Sequence, residues 1–119
     1  VWSAEPDELP YIVPQEFGLR TDCRWMEIIR SRDGMRLRIE ALNPVGLHMS
    51  AIHHRDDELF AAADVTELIW REALTVHIDV AHRGVGSASC GPDIDPRHSI
   101  AAGTYRFAYR LRLLGASDN

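Results

Sequence analysis

A hydrophobic period of two residues recurs in segment after segment, and it limits what this chain can fold into more than any other feature. From 35 to 42, Met35, Leu37, Ile39 and Ala41 fall on one side and Arg36, Arg38 and Glu40 on the other. Just upstream, Arg24, Met26 and Ile28 alternate with Cys23, Trp25 and Glu27, and Asp33-Gly34 stands between the two runs. Such a dipeptide supplies the positive φ that a type I′ turn needs, so the pair reads as a β-hairpin. After the turn chemistry of Asn43-Pro44-Val45-Gly46, Leu47, Met49 and Ala51 alternate with His48 and Ser50. Leu74, Val76, Ile78 and Val80 alternate in the same way with Thr75, His77 and Asp79. Past Ala102-Gly103, the residues Tyr105, Phe107, Tyr109, Leu111 and Leu113 share a face opposite Arg106, Arg110 and Arg112. That last run predicts a long, half-buried antiparallel strand with an Arg-rich solvent side.

Helical signals are sparse. Asp56 or Asp57 can cap a short helix running through Glu58, Leu59 and Phe60 to Ala63, because a side-chain oxygen at that position accepts from a backbone N–H that has no partner within the helix. Asp64-Val65-Thr66-Glu67 has capping-box spacing for one more turn. The expected fold is therefore all-β: an antiparallel β-sandwich with one short helical insertion. A length of 119 residues suits a single domain, 1–119, with one modest core.

Composition narrows the partners. Thirteen basic against eighteen acidic residues give a net charge of −5, the wrong sign for a sequence-independent nucleic-acid binder, which must neutralise phosphates. All the bases are Arg, a pattern that fits GC-rich codon usage. No apolar run approaches the ~20 residues that cross a bilayer, and the first residues lack the basic and apolar regions of a signal peptide. The absence of a starting Met points to a piece of a longer polypeptide. Cys23 and Cys90 are too few for a disulfide scaffold. Two thiols in a reducing cytoplasm is the simpler reading, and a single bridge between them is the alternative.

The chemistry-bearing residues do not form an obvious active site. Asp56, Asp57, Glu58, Asp79, Asp93 and Asp95 offer carboxylates, but no spacing singles out a catalytic pair, and the first three suit a helix N-terminus. His53, His54, His77 and His82 fall short of metal-ligand spacing; imidazoles bonded to backbone or to Asp79 are the expected arrangement. The segment 84–92, Gly-Val-Gly-Ser-Ala-Ser-Cys-Gly-Pro, lacks the Lys and the following helix of a phosphate loop. It reads as a long loop whose glycines permit positive φ, and long loops on rigid β scaffolds often carry function. Cys90 would act as a nucleophile only beside a base such as His82 or His98. Trp2, Trp25 and Trp70 could stack on sugars, although packing is the commoner use.

Several segments together resemble one family. Leu9-Pro10-Tyr11-Ile12-Val13-Pro14-Gln15-Glu16-Phe17-Gly18-Leu19-Arg20, with Arg24-Trp25, is similar to the Tyr-x-x-Pro-Gln-Glu-Asn-Gly-x-Arg motif in the C-terminal domain of bacterial β-galactosidases of glycoside hydrolase family 2. Asp57-Glu58-Leu59 through Glu67-Leu68 resembles that domain's helical insertion. Asp79 with Gly84-Val85-Gly86 and Ser89-Cys90-Gly91-Pro92 resembles its Gly-rich loop, and Gly103-Thr104-Tyr105 to Leu113 its closing strand.

The resemblance implies about the C-terminal half of a mutarotase-like supersandwich. The catalytic glutamates, Mg²⁺ and Na⁺ would lie on a separate (β/α)₈ barrel, with no cofactor on this chain. It also implies a loop at the active-site rim, where an aromatic residue, typically Trp, packs against the sugar. By motif that position falls on Cys90, whose thiol offers less stacking surface than an indole. Phe17 stands where the family motif has Asn. Half a sandwich should expose edges and apolar surface, so self-association, or pairing with the remaining domains, is expected. A stand-alone carbohydrate-binding module and a structural or oligomerisation domain are the alternatives.

Overall fold

The computed structural model describes residues 18–84 and 91–117. Six strands make two three-stranded sheets. They are β1 (Arg20–Cys23), β2 (Trp25–Ile29), β3 (Arg36–Ala41), β4 (Leu47–Ile52), β5 (Thr75–Asp79) and β6 (Tyr109–Leu114). One sheet has the order β1-β4-β5 and the other β2-β3-β6. Helix is confined to α1 (Asp56–Ala61) and to 3-10 turns at Val65–Glu67 and Pro96–His98. The chain is thus of the all-β sandwich class that its periodicity predicts. It divides into two compact units: Met49–Ile78 lie in one, and Thr21–His48 with the described part of 79–119 in the other.

In the second unit β3 pairs antiparallel with both β2 and β6. The register places Met26 opposite Ile39 and Ile39 opposite Leu111, with Ile28, Leu37 and Leu113 in the next row. Residues directly opposite in a ladder share a face, so the alternation read from sequence becomes one apolar surface. Ile39, at its centre, is only 1% exposed. The hairpin forms with a different turn from the one expected. Gly34 alone takes positive φ (68°), whereas type I′ needs it at two consecutive residues. The N–H groups of Asp33 and Gly34 both donate to the Arg30 carbonyl, at 3.4 and 2.9 Å, as in a type I turn followed by a left-handed residue. The Asp33 carboxylate grips Arg30 at 2.9 and 2.6 Å and accepts from Met35 N–H at 3.2 Å, bracing the loop.

The same sheet's opposite face is a charge ladder. Glu27 accepts from Arg38 at 2.9 Å and lies 3.7 Å from Arg36; Glu40 lies 3.0 Å from Arg38 and from Arg112. Arg38 also lies 4.4 Å above the Trp25 ring centre, a cation–π contact.

Two strands depart from their predicted patterns. Alternation places Ser50 on the solvent side of β4, yet Leu47, Met49, Ser50 and Ile52 are all buried, so both faces of that strand are covered. The last strand is shorter than predicted, beginning at Tyr109, and its apolar face is exposed rather than half-buried, with Leu111 at 55% and Leu113 at 68%.

Candidate functional site

A polar cluster lies in the first unit, where β4, β5 and the start of α1 meet. The helix begins one residue earlier than the expected Asp cap: Arg55 is the N-cap and Asp56 the first helical residue. Arg55 N–H donates to Glu58 Oε2 at 3.1 Å, the carboxylate half of a capping box. Three acidic residues in the first turn suit the positive end of the helix, and buried Leu59 pins it. Asp57 holds the Arg55 guanidinium through two 2.9 Å hydrogen bonds. Glu58 Oε1 accepts from Arg71 Nε at 2.7 Å and again from Arg71 Nη2. These bonds, and the one from Arg55 N–H, pull the Glu58 carboxyl from 4.5 down to about 2.

Three of the histidines, His53, His54 and His77, are tied as the sequence predicts, with one change of partner. His53 Nδ1 lies 2.6 Å from the Arg71 carbonyl, and His54 Nδ1 lies 3.0 Å from the Ile69 carbonyl. His77 pairs with Asp56 rather than Asp79: its Nε2 is 3.1 Å from Asp56 Oδ2, and its Nδ1 is 3.0 Å from Ser50 Oγ. A carboxylate only accepts, so in the tautomer that matches these partners Nε2 donates to Asp56 and Nδ1 accepts from the Ser50 hydroxyl.

Ser50, His77 and Asp56 have the residue types of a nucleophilic triad, beside an open depression lined by Arg55, Asp56, Asp57 and Thr75. Two features deny them that chemistry. Ser50 is 2% exposed, so no substrate can reach its oxygen, and the two ring nitrogens have their roles exchanged relative to a hydrolase triad. The trio instead ties β4 and β5 to α1. Alternation missed Ser50 by assigning it to solvent, and nothing in the spacing of 50, 56 and 77 signals their meeting. Among the described residues, no group of three or more His, Cys, Asp or Glu side chains converges as a metal site would.

The Gly-rich loop belongs to the second unit, and Cys90, with 85–89, lies outside the described residues. Its flanks are firmly held. Gly84 N–H donates to the His98 carbonyl at 2.9 Å, and a Cβ on Gly84 would sit 3.0 Å from the His98 Cβ, so this close approach favours glycine. One residue out, Arg83 pairs with Asp93. A hydrogen bond from Ile94 N–H and then the Arg83 contact hold the Asp93 carboxyl below the usual carboxylate range. Asp95 caps the next turn, accepting from Arg97 N–H at 2.9 Å. The described residues on either side of 85–90 are thus clamped to each other. The His82 ring is tilted 57° to that of His48, with ring centres 6.4 Å apart. Of the tryptophans, Trp25 lies under Arg38, Trp70 lies 4.7 Å from His53 on the surface, and Trp2 lies outside the described residues.

Two sheets of mostly antiparallel strands with one short helix define the class, an all-β chain. A family model described as "Beta galactosidase small chain" matches residues 1–111. The sequence is also 34% identical, over 115 residues and 92% of its length, to a "Beta-galactosidase" of Arthrobacter sp. (strain B7). The chain belongs to the beta-galactosidase small-chain family. It spans 11% of the length of that curated relative.

Proposed function

We propose that this chain is a C-terminal portion of a β-galactosidase, about half of its C-terminal β-sandwich domain, with 1–119 acting as a single domain. The supporting observation is the family match over 1–111 joined to alignment with only 11% of a β-galactosidase's length. The whole enzyme hydrolyses terminal β-D-galactosyl residues with retention of configuration, through a covalent intermediate. The two glutamates that do this work reside on polypeptide outside the chain, which is inactive alone.

This chain contributes its Gly-rich loop to the rim of the active site, and Cys90 faces the sugar there. A thiol covers less of a sugar face than an indole, so Cys90 gives a weaker contact. Its partners are the remaining β-galactosidase domains and, through them, a β-galactoside such as lactose; alone, it self-associates through exposed apolar surface. No described helix is long and apolar enough to cross a membrane, and we assign the chain to the cytoplasm.

The test uses the parent enzyme. The complete enzyme turns over a nitrophenyl galactoside, and pure chain does not; robust turnover by the chain alone overturns the non-catalytic reading. Galactose slows alkylation of Cys90 in the complete enzyme. Equal alkylation with and without sugar removes Cys90 from the rim.

A further inference from the structure

The outer edge of β6 carries two features that point to the same occupant. Among the described residues β6 pairs with β3 alone, so its other edge presents unpaired N–H and C=O groups. Tyr109, Leu111 and Leu113 continue the apolar row of Leu37 and Ile39 out to that edge, and all three are exposed. The residues just before the strand add exposed Tyr105 and Phe107. Soluble proteins rarely leave such a contiguous stripe open.

The polar face of the same sheet is out of charge balance. Among the described residues, the ion pairs of its ladder join two carboxylates, Glu27 and Glu40, to four guanidiniums, Arg36, Arg38, Arg110 and Arg112. The imbalance falls on the edge strand, because among the described residues Glu40 alone serves both Arg110, at 3.6 Å, and Arg112, at 3.0 Å. We propose that β6 is extended by a strand of the parent enzyme's remaining polypeptide, one that alternates apolar and acidic side chains, so that its carboxylates meet Arg110 and Arg112 while its apolar residues cover Leu111 and Leu113. This rests on the reading that the chain is one portion of a longer enzyme.

A second copy fits less well. Two β6 strands paired antiparallel about Leu111 set each Arg110 against the other copy's Arg112, and centring on Arg110 or Arg112 sets that residue against itself. Like charges directly opposite in a ladder are destabilising. An acidic-apolar strand satisfies the backbone edge, the stripe and the charge excess together, by the strand-addition mode of recognition.

Hydrogen–deuterium exchange, resolved amide by amide in the intact parent enzyme, tests this. An added strand protects every consecutive amide from 109 to 114, slowing exchange about a hundredfold or more, whereas an open edge protects only alternate ones. Replacing Arg110→Glu together with Arg112→Glu should restore the alternating pattern. An alternating pattern in wild-type enzyme that still cleaves a galactoside overturns the docking strand and leaves the galactosidase reading intact. Protection that fades on dilution as copies separate also overturns it, in favour of a second copy. A parent enzyme without galactosidase activity counts against the functional reading, while its exchange pattern still decides the edge.

Discussion

Glu40 accepts from Arg112, its diagonal neighbour on β6, at 3.0 Å, closer than Arg110, which stands directly opposite in the ladder and approaches to 3.6 Å. Arg38, on its own strand, supplies a second hydrogen bond at 3.0 Å. Burial pushes the Glu40 carboxyl up, but the hydrogen bonds from Arg112 and Arg38, with their charges, outweigh it and hold the group below its usual range. One carboxylate therefore neutralises the middle of an Arg-rich face.

Glu40→Gln keeps the shape of that side chain and removes its charge. Arg38, Arg110 and Arg112 then repel one another across β3 and β6, and the melting temperature should fall by several degrees. A calorimetric scan in low and high salt checks this: the loss should shrink as salt screens the repulsion. An equal loss at both salt concentrations would mean that packing, not charge, holds the ladder.

The Ser50–His77–Asp56 tie gives a second expectation. Ser50→Ala leaves His77 Nδ1 without its buried donor, at a cost of about 1 kcal/mol in denaturant unfolding. If the trio only holds β4 and β5 to α1, the galactosidase activity of the parent enzyme should survive at temperatures well below unfolding. A loss of turnover in a variant that remains folded would assign the serine chemistry after all.

These two sites also mark how far the sequence was legible. The apolar row of Met26, Ile28, Leu37 and Ile39 was readable because a strand's period is local, and the hairpin brings those rows into register. Position 50 was not, because alternation identifies a solvent side only where nothing covers it, and coverage is decided by chain distant in sequence. Asp56 read as a helix cap because of its neighbours, whereas its bond to His77 spans 21 positions, beyond any local signal. The exposed face of β6 was misread for a related reason. Its alternation predicted burial, but burial also needs a covering partner, and none is present among the described residues. The loop was picked out by its glycines, which report backbone freedom and leave the role of Cys90 to experiment.

Acid should loosen α1 before it loosens the β2-β3-β6 sheet. Glu58 is held at about 2 in the folded chain against 4.5 for the ordinary carboxyl, first by Arg71 and then by Arg55 N–H. A depressed carboxyl stabilises the fold above its unfolded value, and the contribution is lost as pH falls from about 4.5 toward 2. Fluorescence of Trp70, next in sequence to Arg71, should report a transition in that window. Glu58→Gln should be less stable than wild type at pH 7 and should show no further loss there. A variant as acid-sensitive as wild type would assign the transition to other carboxylates.

Among Gly18, Gly34, Gly46, Gly84 and Gly103, Gly46 makes the most demanding backbone contact. Its φ is +85°, and a Cβ there would lie 2.8 Å from the Asp22 carbonyl carbon and 2.9 Å from the carbonyl oxygens of Asp22 and Cys23. Those are backbone atoms, so no side chain can swing aside, and Asp22 itself already occupies positive φ at 55°. Gly46→Ala thus combines a left-handed alanine with a collision against main chain, and should cost more than about 2 kcal/mol. Gly103→Ala is the matched control, since a Cβ there meets nothing within 4 Å. Urea unfolding of the two variants should separate them clearly. Equal stability would mean that the turn before β4 relaxes away from Asp22 at little cost, and that the tight approach is not what fixes the start of the strand.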